Sequence, residues 1–233
     1  MHFFIFVILI CFLIFLFCLY LLVNDDFVLL RKDISTEKVF NMAFAASLFA
    51  LIGSRVLFVA LNPSSRFLNP LVFLAFPYFP GLSLVGGLLG GMIGLILLTK
   101  RDSKIPAARL FDFFSISFLS PMSLGFLGYF LLSKSKFFSY QSVSSIIIYL
   151  ALFIVFIKYL LPNLLSSRFK EGTVGLIFLI SFSAISLLEN FIGEVGGKIY
   201  FTFEDFILLV MLVASLAFLI KHEKLVEKVR KIK

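Results

Sequence analysis

The sequence predicts an all-α membrane protein, a polytopic bundle of about seven transmembrane helices. Of its 233 residues, 61% are hydrophobic and 15% are charged, and the mean hydropathy is +1.10. Soluble domains average about 45–50% apolar and about 25% charged residues, so this composition excludes a soluble fold. A helix needs about 20 apolar residues to cross a hydrocarbon core of roughly 30 Å. The segments that meet this requirement, spans one to seven, are Phe3–Val23, Val39–Leu61, Leu82–Thr99, Leu110–Leu132, Val143–Leu161, Thr173–Ile192 and Ile199–Ile220.

The distribution of positive charge predicts how these spans are oriented. Sixteen of the 21 Lys and Arg residues lie on one side: in the loops after spans one, three and five, at the end of span five, or in the C-terminal tail. Because basic residues accumulate on the cytoplasmic side, the N-terminus is predicted outside, the C-terminus inside, and the number of spans odd. Residues 1–220 are predicted to form a single bundle domain, followed by a basic cytoplasmic tail at 221–233. Such a tail meets anionic headgroups, and with no separate basic domain no nucleic-acid partner is predicted.

Span one carries no charge and resembles the apolar region of a signal peptide. It lacks a basic n-region and a small-x-small cleavage site, so we expect it to be retained. Cys11 and Cys18 lie seven residues apart on one face of this span. Because free cysteine behaves as a small buried hydrophobe, we expect them to pack in the bundle without forming a disulfide.

Two further segments depart from regular spans. The connection Asn62–Pro80 contains the apolar stretch Leu71–Phe76, which is too short to cross and too apolar for an aqueous loop, so an interfacial or re-entrant segment is predicted. Glu204 and Asp205 interrupt span seven near its outer end and shorten the part that faces hydrocarbon.

Ionisable residues within spans are costly and therefore indicate function or pairing. Arg55 in span two and Glu189 in span six lie at similar predicted depth, near the outer ends of their spans. Either they form a buried ion pair, which is the hypothesis we favour, or each reaches the outer interface independently. Asp112 and Lys158 lie near cytoplasmic ends, where they are expected to reach the interface or to pair with loop residues such as Arg109.

Span three carries a glycine ridge. Gly86, Gly90 and Gly94 repeat every four residues, with Gly87 and Gly91 beside them. Small residues at this spacing allow another helix to approach closely, so a packing role is predicted. The alternative role is to let a lipid or substrate approach the backbone at the outer mouth of the bundle.

The sequence lacks the usual signatures of metal or cofactor chemistry. His2 and His222 lie at opposite termini, and no cluster of His, Cys and carboxylates has ligand spacing. No Walker loop, GxSxG or HExxH motif is present. No metal, no cofactor and no histidine-based acid–base centre within the bundle are therefore predicted.

Five motifs follow one another in an order typical of one family of membrane enzymes. They are Thr36-Glu37-Lys38 leading into Leu51-Ile52-Gly53-Ser54-Arg55-Val56; Asn69-Pro70-Leu71; Gly81-Leu82-Ser83-Leu84-Val85-Gly86-Gly87-Leu88; Asp112-Phe113 through Gly125-Phe126-Leu127-Gly128-Tyr129-Phe130; and Gly172-Thr173-Val174-Gly175-Leu176 through Glu189. On these motifs, the chain resembles the bacterial prolipoprotein diacylglyceryl transferases, which move the diacylglyceryl group of phosphatidylglycerol onto the lipobox cysteine of prolipoproteins. The resemblance implies a multi-pass protein of the bacterial cytoplasmic membrane, with phosphatidylglycerol or another phospholipid, and prolipoprotein signal peptides, as partners.

The departures from the family pattern fall on its reactive residues. At matching positions, the family's histidine is Val85, its signature arginine Phe126, its signature asparagine Tyr129, its sixth-span arginine Ile185 and its sixth-span tyrosine Phe182. The outer head segment is shortened to roughly Ser133–Ser142. Losing the arginines removes the electrostatic stabilisation that usually carries the largest share of a barrier. The residues expected to contact lipid are Arg55, Ser83, Gly86, Gly87 and Glu189, and no catalytic residue is assigned.

Two functions from different classes fit this sequence. One is a divergent diacylglyceryl transferase in which Arg55 binds the phosphate without help from a histidine. The other is a non-catalytic relative that binds a phospholipid or a lipid-modified peptide on the same fold. A small transporter is disfavoured because no inverted repeat or pair of broken helices is visible.

Overall fold

The computed structural model describes residues 2–24, 26–64, 67, 69, 72–73, 81–101, 105–132, 140–193 and 201–223, and these residues are mostly helical with no strand among them. The α-helices are α1 (His2–Asn24), α2 (Phe27–Arg31), α3 (Thr36–Leu61), α4 (Leu84–Arg101), α5 (Ala107–Leu132), α6 (Tyr140–Val155), α7 (Leu161–Leu165), α8 (Thr173–Gly193) and α9 (Phe203–Glu223). The predicted all-α class is therefore confirmed.

Among the described residues, seven helical segments are long and apolar enough to cross a membrane, which confirms the predicted spans. They are Ile5–Asn24, Thr36–Leu61, Leu84–Arg101, Ala107–Gly128, Val143–Leu165, Thr173–Phe191 and Phe203–Glu223. Large apolar side chains such as Phe17, Leu48 and Phe218 are more than half exposed, as expected for surfaces that contact lipid. The protein is a multi-pass membrane protein, and the orientation of its termini stays a prediction.

Span five is not a uniform α-helix. Between α6 and α7 it passes through a π-helical turn at Phe156–Leu160, in which the N–H of Leu161 donates to the carbonyl of Phe156. Pro162 follows directly and has no N–H to donate to the carbonyl of Lys158, four residues earlier. The wider turn is the local response to this missing donor.

The acidic pair at the start of span seven caps α9 and does not break it. Glu204 and Asp205 lie in the first turn of the helix, where carboxylates interact favourably with the helix dipole. Thr202 donates to the Asp205 carboxylate from its backbone N–H at 2.8 Å and from its hydroxyl at 2.6 Å. Asn190 on α8 donates to the same carboxylate at 2.6 Å, so one side chain starts α9 and joins it to α8.

Packing divides the chain into two compact units, Met1–Ala107 and Ala108–Lys233. In the first unit, α3 and α4 pack against each other, and α1 contacts α3 through aromatic pairs such as Phe12 with Phe44. In the second, α8 packs against α9 and α6. Cys11 and Cys18 are partly buried thiols that are not joined by a disulfide. A single bundle domain requires that the two units associate, so the domain organisation stays a prediction.

Candidate functional site

The glycine ridge of α4 brings that helix into backbone contact with α3. A Cβ on Gly53 would lie 2.6 Å from the carbonyl oxygen of Gly86 and 2.8 Å from the Cα of Gly90. A Cβ on Gly86 would lie 2.6 Å from the carbonyl oxygen of Gly53, and one on Gly94 would meet the ring of Phe49. Since real Cβ atoms do not approach so closely, only glycine fits at these positions. This contact supports the packing role of the ridge.

The start of α4 is joined to α3 by hydrogen bonds that involve two serines. The backbone N–H of Ser83 donates to the carbonyl of Ser54 at 3.0 Å. The Ser83 hydroxyl oxygen accepts from the N–H of Gly86 at 3.0 Å and thereby caps α4. The Ser54 hydroxyl donates to its own helix, at the carbonyl of Leu51. Ser83 is thus fixed between the two helices, and its hydroxyl is engaged in the cap.

Arg55 is the buried cation beside this junction, with 3% of its surface exposed. Its Nη1 donates to the carbonyl of Gly81 at 2.8 Å, its Nε to Phe73 at 2.9 Å and its Nη2 to Val72 at 3.2 Å. The rigid fork of guanidinium donors suits several acceptors around one plane. Arg55 therefore holds two parts of the connection between α3 and α4 onto α3.

Aromatic rings enclose the guanidinium of Arg55. Its Cζ lies 5.1 Å from the centroid of Phe67 and 5.8 Å from that of Phe58, within the range of cation–π attraction. Gly81, with φ of 150°, adopts a backbone conformation that disfavours side chains, and a Cβ there would collide with the Phe58 ring. Of the predicted re-entrant stretch Leu71–Phe76, only Val72 and Phe73 are described, and both are helical; its other residues and Pro80 lie outside the described residues.

Four of the five predicted lipid-contacting residues therefore lie together in the first unit: Arg55, Ser83, Gly86 and Gly87. Gly87 differs from the ridge glycines, because a Cβ there would be 3.5 Å from the Cβ of Ser54, an ordinary contact. From the sequence, the favoured partner of Arg55 is the carboxylate of Glu189. Its three carbonyl partners could not be predicted, because every residue has a backbone carbonyl and the sequence does not show which ones lie near Arg55.

Glu189, the fifth residue, lies in the second unit near the end of α8. Its carboxyl group is hydrogen-bonded to the side chain of Ser145 on α6. One turn deeper, the hydroxyl groups of Tyr149 and Ser186 are 3.3 Å apart. Polar side chains therefore join α6 to α8 in two steps. The predicted ion pair with Arg55 links the two units and stays a prediction.

The positions that carry reactive residues in the resembling family are packed with apolar groups here. In the first unit, Val85 is buried. In the second, the Phe126 ring stacks on Tyr149 with centroids 5.1 Å apart, and Phe182 is buried between Tyr149 and Phe178. Ile185 is partly buried; the Tyr129 side chain and residues 133–139 of the shortened head segment lie outside the described residues.

Asp112 is buried on α5. Of its two expected placements, at the interface or paired with a loop residue, the structure excludes the first. Its carboxylate oxygens accept from the N–H of Gly172 at 2.6 Å and of Gly175 at 2.7 Å. Arg109 lies near enough to act on the same carboxylate and donates to the carbonyl of Leu164 at 3.1 Å. Asp112 thus caps α8 from another helix, a role that spacing along the chain does not reveal.

Comparison with known proteins identifies the relatives of this chain. The family model described as prolipoprotein diacylglyceryl transferase matches residues 1–221. A phosphatidylglycerol–prolipoprotein diacylglyceryl transferase from Fusobacterium nucleatum is 32% identical over 101 residues, which are 43% of this chain and 34% of that relative. The matched segment thus spans about a third of the length of that relative. Because the family match covers nearly the whole sequence, the chain belongs to the prolipoprotein diacylglyceryl transferase family.

Proposed function

We propose that the protein takes part in lipoprotein maturation in a bacterial cytoplasmic membrane, as a phosphatidylglycerol–prolipoprotein diacylglyceryl transferase. The observation that carries this proposal is the family match over residues 1–221. The relative named above carries both substrates in its name. Arg55 is a buried cation in the first unit. The same unit contains Ser83, Gly86 and Gly87, which are also expected to contact lipid.

The residues proposed to contact lipid are Arg55, Ser83, Gly86 and Gly87 in the first unit and Glu189 in the second. Hydrogen bonds to carbonyl oxygens orient the Arg55 guanidinium. An oriented cation in surroundings poor in water attracts the phosphate of a phospholipid strongly. The space beside Gly86 is filled by α3, whereas Gly87 is partly exposed and adds no side chain where a headgroup approaches this junction.

The proposed reaction needs few groups from the protein. A sulfur–carbon bond forms between the lipobox thiol and the glyceryl carbon, and the carbon–oxygen bond to the phosphate breaks. The thiol proton passes to the departing phosphate, and glycerol phosphate leaves as the monoanion. Stabilising the negative charge that develops on the phosphate is the largest electrostatic demand of this step. Arg55 is the residue proposed to meet that demand.

A second function, binding of a phospholipid or a lipid-modified peptide without transfer, is favoured by one observation. The positions of the family's arginine, histidine and tyrosine hold Phe126, Val85 and Phe182, and all three pack into their surroundings. An apolar interior of this kind retains a surface for acyl chains and lacks the donors that a phosphate leaving group needs.

One assay separates the two functions. Purified protein is mixed with labelled phosphatidylglycerol and a lipobox peptide, and thioether formation is followed by mass spectrometry. A thioether product supports the transferase; intact lipid binding with no product supports the binding protein. The double variant Val85→His/Phe126→Arg is assayed beside Leu84→His, a control that places the imidazole on the exposed neighbour. Product from the double variant alone would assign the missing chemistry to those two positions.

A further inference from the structure

We propose that the end of span five binds an anionic phospholipid through a patch formed by Lys158, Tyr159, Asn163 and Arg168, separate from the site around Arg55. The patch lies at the π-helical turn and the α7 terminus of the second unit. By the charge-based orientation this end faces the cytoplasm. The ligand class is a phosphate anion carried on two acyl chains.

The first argument is the position of Lys158. The residue is exposed and lies seven residues before the end of span five at Leu165, so its backbone is roughly 10 Å inside the span. Its helical neighbours Ile154 and Val155 are also exposed, at 53% and 44%. An ammonium group on an apolar, lipid-contacting face is costly unless it extends to the interface, where the phosphate anion of a lipid headgroup attracts it.

The second argument is that the protein itself supplies no such anion. Within the part of the chain that the structure describes, neither Lys158 nor Arg168 contacts a carboxylate. The Lys158 ammonium lies 5.8 Å from the ring of Tyr159, and the Arg168 guanidinium is 3.5 Å from the Asn163 side-chain oxygen. Two cations with only neutral partners at one end of a span form a site for an external anion.

The third argument is that the fold arranges these groups in a row. Asn163 donates from its side chain to the carbonyl of Tyr159 at 2.8 Å, and its own carbonyl accepts from the N–H of Arg168 at 3.0 Å. Contacts therefore run from Lys158 over Tyr159 to Asn163 and on to Arg168. The three polar side chains thus lead from the span to its end beside exposed Tyr159 and Leu165, against which an acyl chain can lie.

The absence of tryptophan from the sequence gives a direct test. A Tyr159→Trp variant is reconstituted into vesicles in which either phosphatidylglycerol or phosphatidylcholine carries brominated acyl chains. We expect preferential quenching by the anionic lipid. Adding Lys158→Gln and Arg168→Gln should remove about fivefold of that preference for each cation lost.

The control is a Val213→Trp variant, which reports from an exposed position in the middle of α9, more than two turns before Lys221 and the basic tail. Equal preference for the anionic lipid in both reporter variants, or a preference in the Tyr159→Trp variant that survives loss of both cations, would overturn the site. The anion could be supplied by a lipid headgroup or by free phosphate, so chloride is replaced by inorganic phosphate at constant ionic strength. If phosphate reversed the quenching, the patch would be a site for soluble phosphate, and the lipid assignment would be overturned. These readouts need no transferase activity, so they are independent of the proposed function.

Discussion

Arg55 on α3 donates a hydrogen bond from Nη1 to the carbonyl oxygen of Gly81 at 2.8 Å, across 26 residues of chain. Gly81 lies just before α4, whose first turn is also held by the bond from the Ser83 N–H to the Ser54 carbonyl. One buried side chain therefore determines where the connecting segment meets the glycine-packed helix pair. Arg55 is therefore a structural residue as well as the proposed phosphate ligand. A variant that keeps its positive charge but loses its hydrogen bonds distinguishes these two roles.

Replacing Arg55 by lysine should destabilise the protein while retaining the positive charge. The variant loses the guanidinium fork and with it at least two of the bonds to Gly81, Val72 and Phe73. Hydrogen bonds to a charged group contribute about 1.5–3 kcal/mol each, so we expect a loss of at least ~2 kcal/mol in the free energy of unfolding, measured in mixed detergent micelles. Arg101→Gln, which changes an exposed arginine at the end of α4, should cost little. Equal losses in the two variants would contradict the anchoring role.

Alanine at two glycines should have opposite effects. In Gly53→Ala the new Cβ would lie 2.6 Å from the Gly86 carbonyl oxygen, whereas in Gly91→Ala it would meet the Cβ of Ala50 at 3.5 Å. Overpacking costs about 1–3 kcal/mol, while alanine in a helix is favoured over glycine by about 0.8–1 kcal/mol. Thermal unfolding should therefore show a lower Tm for Gly53→Ala and an unchanged or higher Tm for Gly91→Ala. A similar fall in both variants would mean that the close approach of α3 and α4 is not the cause.

Asp112→Asn should weaken the start of α8. An asparagine has one carbonyl oxygen for the N–H groups of Gly172 and Gly175, and its amide presents N–H to the second of them. We expect a loss of about 2 kcal/mol in the free energy of unfolding, because a charge-assisted cap is replaced by a donor–donor contact. Limited proteolysis of the segment before α8 gives a local readout.

The matched control for that variant is Asp33→Asn, an exposed aspartate with φ of 52°, a conformation that asparagine adopts equally well. Its free energy of unfolding should stay within about 0.5 kcal/mol of the unchanged protein. If the Asp112 variant behaved in the same way, the cap would be dispensable.

The predicted pair of Arg55 and Glu189 is tested by a double-mutant cycle. Glu189→Gln should do less harm in an Arg55→Ala background than alone, with a coupling of about 0.5–3 kcal/mol for residues in contact. The free energy of unfolding and the affinity for phosphatidylglycerol provide two readouts. Additive losses in both would show that the carboxylate acts only through partners on α6 such as Ser145.

The orientation of the chain is tested with reporter fusions. Green fluorescent protein after residue 233 should fluoresce and alkaline phosphatase there should be inactive, because the tail is predicted to face the cytoplasm. Fusions in the connection after span two should give the reverse pattern. The reverse result at both positions would place the basic loops outside.

The sequence was sufficient for the membrane class, the seven spans and the packing role of the glycine ridge, because each depends on hydropathy or on spacing along one helix. Glu204 and Asp205 form the first turn of α9, and their shortening of the hydrocarbon-facing part of span seven stays a prediction. The partners of Arg55 and Asp112 could not be predicted. Both side chains bind backbone groups distant in sequence, and backbone carbonyls and N–H groups are identical in every residue.

The cap on α8 also bears on how the protein is made. Asp112 precedes Gly172 by 60 residues, an interval of several seconds at a synthesis rate of roughly 5–20 residues per second. The helix that carries the acceptor is therefore available before α8 leaves the ribosome. Glu223, which accepts from the Lys170 N–H and the Thr173 hydroxyl, is translated 50 residues after Thr173. Membrane insertion of α8 thus begins with one of the two carboxylates that bind its N-terminal end in place, and the last span supplies the other.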